Sequence, residues 1–154
     1  MKIRGLFILF VLALLVACKD GRVYHHYDHT PLAGWDKVDT LIYNVPAVNE
    51  EGLYATDLGL RVSNKYPFMS LKLIVEQTIY PSQRKQIDTL TCRLIDSNGK
   101  AKGNGVSNYQ YDFPVSQMFL HQHDSLHITV RHDMRREIMP GVSDVGISVS
   151  NMKK

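Results

Sequence analysis

Apolar residues recur at every second position in six stretches between Leu41 and Val149, the period of a half-buried β-strand. Leu41, Tyr43 and Val45 form the first set, ahead of Pro46. Leu58, Leu60 and Val62 alternate with Asp57, Gly59 and Arg61, and Leu71, Leu73 and Val75 with Lys72, Ile74 and Glu76. Leu90, Cys92 and Leu94 make the next set, then Leu126, Ile128 and Val130 against His127, Thr129 and Arg131. Val145, Ile147 and Val149 close the series with Ser148 and Ser150 opposite. Turn chemistry separates them at Asn64 to Pro67, Tyr80-Pro81-Ser82, Ser97-Asn98-Gly99 and Met139-Pro140-Gly141, where Gly and Asn tolerate positive φ and Pro interrupts a ladder. The spacing predicts an all-β fold, a single antiparallel β-sandwich of roughly seven to eight strands, occupying residues 35–154. A helical turn is expected from Val115 to His121, after Pro114, because Val115, Phe119 and Leu120 can share a helix face.

One apolar run does not alternate. Leu6 to Val16 is continuous, follows Lys2 and Arg4, and ends at Leu15-Val16-Ala17-Cys18. It is too short to span a bilayer, which takes about 20 apolar residues. The charged start, apolar middle and small-residue exit are those of an export signal. Leu, Val and Ala immediately before a cysteine resemble the bacterial lipobox, which implies diacylglycerol on Cys18, cleavage before it and acylation of the new amine. The expected organisation is a signal peptide over 1–17, a lipidated N-terminus and flexible tether over 18–34, and the sandwich thereafter. The tether is inferred because the segment after Lys19 is polar, rich in His and Tyr, and without hydrophobic period. Lys19 rather than Asp follows Cys18, which points to the outer membrane. Lys19-Asp20 begins like a surface-export signal but Gly21-Arg22 breaks it, so the periplasmic side is expected.

This leader changes the charge picture. The chain has 18 Lys and Arg against 15 Asp and Glu, and loss of Lys2 and Arg4 leaves a near-neutral mature domain. No electrostatic case for nucleic acid survives. The remaining 137 residues suffice for one core. With Cys18 lipidated, Cys92 has no intrachain partner, and its alternation with Leu90 and Leu94 reads as a small buried hydrophobe.

Two His clusters offer metal-ligand types: His25, His26 and His29 around Asp28, and His121, His123 and Asp124 with His127 or His132. Imidazole and carboxylate suit divalent metals, but neither cluster has a closed-site spacing, and no cofactor or metal is expected. Asp96-Ser97-Asn98-Gly99-Lys100 opens like a calcium loop, yet Lys100 stands at a ligand position and no distal Glu follows. It reads as a hairpin. Gly103-Asn104-Gly105 lacks the context of a phosphate loop and reads as a bend. Asp57, Asp88, Asp96, Asp112 and Asp133 are scattered, and no nucleophile elbow accompanies them, so no enzyme is expected. Trp35, Tyr43, Tyr54, Tyr66, Phe68, Tyr109, Tyr111 and Phe113 could fill a core or line a glycan groove.

From Trp35 to the last strand the chain resembles the gliding-motility lipoprotein GldH family of Bacteroidetes. The likeness is carried by Leu58-Gly59-Leu60-Arg61 with Tyr66-Pro67 and Leu71; by Asp88-Thr89-Leu90 with Leu94, Asp96, Gly99-Lys100, Gly103 and Gly105; and by Met134-Arg135, Pro140-Gly141-Val142 and Asp144-Val145-Gly146-Ile147. Ser70 and Ala101 depart from the family's pattern, which has Asn and Trp there. The resemblance implies an outer-membrane lipoprotein of surface gliding, a process linked to type IX secretion, and supplies no catalytic residue. A non-enzymatic scaffold with envelope protein partners is expected; a glycan-binding surface or periplasmic lipoprotein is the alternative. Trp35, Tyr66 and Arg135 are the expected partner contacts, because aromatic and Arg side chains dominate interface hot spots.

Overall fold

The computed structural model describes residues 21–153, so the expected signal peptide and Cys18 lie outside the described residues. These contain eleven strands: β1 (Arg22–His29), β2 (Trp35–Asp36), β3 (Leu41–Val45), β4 (Gly52–Ser63), β5 (Ser70–Tyr80), β6 (Arg84–Arg93), β7 (Asn104–Gly105), β8 (Asn108–Leu120), β9 (Ser125–His132), β10 (Ile138–Met139) and β11 (Val142–Asn151). This is somewhat more than the seven to eight expected, the excess being the two-residue fragments β2, β7 and β10. One sheet has the order β1-β11-β4-β8-β7 and the other β3-β9-β5-β6, while β10 and β2 form a separate ribbon. All pairings are antiparallel. No helix long and apolar enough to cross a membrane occurs among the described residues.

The alternation that predicts the strands also makes the core. Leu58, Leu60 and Val62 of β4 and Val145, Ile147 and Val149 of β11 are buried in one cluster with Leu71, Leu73 and Val75 of β5 and Leu126, Ile128 and Val130 of β9. Burying each such side chain contributes about 1.5–3 kcal/mol. Polar groups tie the sheets together. The Tyr43 hydroxyl donates to the Val145 carbonyl at 2.8 Å. Gln77, fully buried, accepts from the Thr56 hydroxyl at 2.8 Å and donates to Ser116 Oγ at 2.7 Å. Both ends of this amide are satisfied, as a buried polar group requires.

Two expectations are corrected. The segment read as a flexible tether contains β1, which pairs with β11 from Arg22↔Ser150 to His29↔Asp144. Its alternation is hidden because both faces carry polar or aromatic residues: Tyr24 packs on the core and His26 meets the Tyr43 ring, whereas Tyr27 lies on the outside against Arg61. The helical turn expected at Val115 to His121 is the last part of β8, with Met118 and Leu120 buried. A register shift between Thr56 and Asp57 accommodates Pro114 opposite Asp57. Beyond the short β7, that stretch of β8 has no second neighbour to miss the proline's N–H.

Strand direction gives the sandwich two ends. At the entry end lie the start of β1, the connections 46–51, 81–83 and 121–124, and residues 152–153. The far end carries the connections 30–40, 64–69, 94–107 and 133–141. Along the twelve residues of β4 the two ends stand about 40 Å apart.

Candidate functional site

The far end is organised around Trp35. Its indole Nε1 donates to the Asp39 carbonyl at 3.0 Å, and its backbone pairs with Met139. The His132 ring meets it edge to face at 5.3 Å between centroids. His132 Nε2 donates to the Trp35 carbonyl at 3.1 Å. Burial pushes this imidazole below its ordinary value, against the opposing effect of that hydrogen bond, so the neutral ring is favoured. Lys37 Nζ donates to the Met134 carbonyl at 3.0 Å and ties down the loop on which Arg135 is exposed.

Beside this assembly is an aromatic cleft of about 190 Å³, lined by Tyr66, Phe68, Leu94, Ala101, Tyr109 and Tyr111 among others. Tyr66 donates to the Ser70 carbonyl at 3.1 Å and Tyr111 to that of Leu94 at 3.0 Å, so both rings are fixed. The expected hairpin forms one wall. Asp96 accepts from the backbone N–H groups of Asn98 at 2.8 Å and Lys100 at 2.9 Å; these bonds hold its carboxyl below the usual range. Gly103 is required by packing, since a Cβ there would lie 2.7 Å from Tyr111 Cζ and 2.8 Å from the Gln110 carbonyl oxygen. Ala101 lines the cleft with a side chain too small to fill it. Leu32, Val38, Met69 and Val106 project from the surrounding loops and are exposed.

A second feature occupies the outer face of the five-stranded sheet. Gly59 and Gly146 are paired across β4 and β11, and Tyr27 of β1 lies on them. A Cβ on Gly146 would come within 2.7 Å of three Tyr27 ring atoms. The Arg61 guanidinium stands 4.3 Å from the centroid of that ring, and Arg61 Nε donates to Gln110 Oε1 at 3.4 Å. Burial, and then the neighbouring Asp112, push the Asp57 carboxyl up. Asp144 contacts His29 at the edge of the platform. Gly59, Arg61 and Gly146 thus share one outer surface with Tyr27 as its cover, while the alternating Leu58, Leu60, Val145 and Ile147 face the core.

The expected contact residues separate. Trp35 is 0 % exposed and Tyr66 9 %; both are corrected from surface contacts to residues that shape the far end, because their rings fill its core. Arg135 is exposed. Cys18 lies outside the described residues. Cys92 is buried, and burial pushes its thiol up to about 12. The His residues disperse: His25 packs on Tyr27, His26 bonds Asp28 at 3.0 Å, and His123 sits at φ 72 in the turn after β8 rather than beside His121 on a strand. No group of three or more His, Cys, Asp or Glu that could hold a metal occurs among the described residues. Of the eight aromatics, Trp35, Tyr43, Tyr54, Tyr66 and Tyr111 are buried and Phe68, Tyr109 and Phe113 are partly buried. The Tyr27 platform is absent from the sequence reading. Its signal is a pair of glycines inside predicted strands, which marks a close approach by another group.

Fold and far end together define a two-sheet β-sandwich domain with fixed aromatic side chains under exposed loops. A family model described as GldH lipoprotein matches residues 22–149, and the chain belongs to that family. The gliding motility lipoprotein GldH of Flavobacterium johnsoniae is 26% identical over 161 residues, covering 97% of this chain and 98% of the relative. Among solved structures, a family GH115 4-O-methyl-alpha-glucuronidase aligns at 9% identity and a TM-score of 0.49 over 88% of this chain; the chain spans only 18% of that enzyme. The CBM35 from Cellvibrio japonicus aligns at 11% identity and a TM-score of 0.38, covering 88% of this chain and 93% of the other. The family is one of gliding motility lipoproteins rather than a known enzyme family.

Proposed function

We propose that this lipoprotein is a non-enzymatic interaction module of the gliding machinery, linked to type IX secretion, that engages envelope proteins through its far end. The reading places it at the outer membrane, on the periplasmic side, anchored by lipid on Cys18. One observation carries it. Of the residues that carry the family resemblance, those in β4, β6 and β11 serve the sheets, whereas Tyr66-Pro67, Asp96, Gly99-Lys100, Gly103, Met134-Arg135 and Pro140-Gly141 lie in far-end connections, the end that also exposes Leu32, Val38, Met69 and Val106. Apolar clusters of this kind mark interaction sites, and Arg135 adds a residue type favoured at hot spots. Two or more acyl chains make anchoring durable. Confinement to a surface raises effective concentration, so a modest affinity suffices.

The test combines a photo-cross-linking amino acid at Val106 with gliding assays in the native organism. Cross-links to motility or secretion proteins, lost together with gliding in a Leu32→Asp, Val106→Asp variant, are expected. Normal gliding and unchanged cross-links in that variant would contradict the assignment. Cys18→Ala is expected to abolish palmitate incorporation. The glycan-binding alternative draws on the partly buried Phe68 and Tyr109 at the cleft, and retention on polysaccharide columns without any protein cross-link would favour it.

A further inference from the structure

The absence of a tether at residues 22–29 bears on how the domain meets its membrane. Order begins before β1, since Asn151 donates its backbone N–H to the Gly21 carbonyl at 2.8 Å. Only Lys19 and Asp20 separate Cys18 from that bonded residue, and three Cα steps reach at most about 11 Å. A lipid on Cys18 therefore holds the entry end against the head groups.

That end carries an apolar stripe on the outer face of the five-stranded sheet, built on β4 and β8 and flanked by residues at the end of β11 and the start of β1. Leu53 of β4 and Phe119 of β8 are directly paired. Met152 follows β11 and donates its N–H to the Leu53 carbonyl at 3.0 Å, and Val23 stands at the start of β1. Leu53 is 38% exposed, Val23 42%, Phe119 44% and Met152 48%. Their inward neighbours Tyr54, Met118, Leu120 and Asn151 are buried, so Leu53, Phe119 and Met152 belong to the outer surface and not to the core, with Val23 exposed beside them at the register shift that opens β1. Arg22, Arg84, Lys85 and Lys153 lie at the same end, with Glu50, Glu51 and the buried Asp124 as the acidic counterweight. Arg84 Nη2 is held to the Phe119 carbonyl at 3.0 Å. The mixed charge leaves apolar contact as the main attraction.

We propose that this stripe is a lipid-contacting face, which lays the entry end of the sandwich on the bilayer interface and directs the far-end loops away from it. The occupant is a lipid surface because the chain enters here with a reach shorter than the domain itself. Amphipathic surfaces with exposed Phe, Leu and Met bind the boundary between head groups and acyl chains. Tethering makes even a small buried area sufficient. This proposal rests on lipidation of Cys18, and its test separates the two.

The full chain is produced in cells that process lipoproteins, with radiolabelled palmitate, and reconstituted into phosphatidylethanolamine–phosphatidylglycerol vesicles. A thiol-reactive fluorophore is placed by Phe119→Cys or Met152→Cys in two proteins and by Val106→Cys in a third; the buried Cys92 does not compete for it. Nitroxide-labelled head groups are expected to quench the first two several-fold more than the third. Equal quenching at all three, with palmitate present, overturns the lipid face and leaves the anchor intact. Absence of palmitate overturns both. Protection of the Phe119 label in unanchored Cys18→Ala protein, rising with concentration, assigns the stripe to a second copy and also overturns the proposal.

Discussion

Both ends of the sandwich expose apolar side chains, but they do so on different supports. At the entry end Leu53 and Phe119 are a cross-strand pair on a sheet face, held in a shared surface by the ladder beneath them. At the far end Leu32 and Val106 project from connections, whose conformation depends on Trp35, the Asp96 turn and Gly103. A sheet face offers a flat surface suited to a flat partner, whereas loops on a rigid scaffold can be shaped to a specific one. Two ends of one fold can thus serve unlike roles.

The sharpest way to break this contrast is to remove the support of the far end. Trp35→Ala should cost about 3–5 kcal/mol, read by chemical denaturation, because the fully buried indole is lost from beneath the loops. At the platform, Gly146→Ala should cost about 1–3 kcal/mol by overpacking, since the whole Tyr27 ring has to lift. Faster amide exchange confined to β1 is the accompanying expectation, with far-end amides unchanged. Gly59→Ala should cost less, because the atom it meets first is the Tyr27 hydroxyl at the end of the side chain.

Acid should weaken the fold through His132 at the far end. Burial lowers the His132 value, so the unfolded chain binds the proton more readily than the folded one. Stability from this group is complete above the unfolded imidazole value, about 6.5, and falls as pH drops through the window below it. Denaturation midpoints at pH 7.5 and 5.5 should differ more in the wild type than in His132→Gln. Smallest in stability is Ala101→Trp, which should fill part of the aromatic cleft with little change in melting. If the open cleft receives a partner side chain, this variant loses the Val106 cross-link while remaining folded.

Much of this fold is legible in the alternation of apolar residues, and the exceptions have physical causes. β3, β4, β5, β9 and β11 each carry a plainly apolar face, and β6 does so only in its second half, at Leu90 and Cys92. β1 is an edge strand whose two faces bear His and Tyr, so composition imitates a tether. The end of β8 is obscured by Pro114 and the register shift opposite it, which displaces the alternation by one residue. The far-end turns are readable as Asn, Gly and Pro chemistry, but their convergence depends on strand order. Trp35 and Tyr66 have the residue types of contacts, yet pairing of β2 with β10 and of Tyr66 with Ser70 turns both inward. Likewise the Gly59–Gly146 floor exists only in the register that sets β11 against β4.

The most direct measurement is photo-cross-linking in living cells from Phe119 and from Val106 in parallel. The expected result is adducts with lipid from Phe119 and with envelope proteins of the motility machinery from Val106. Protein adducts from Phe119 with lipid adducts from Val106 would contradict the orientation and with it the assignment of the two ends.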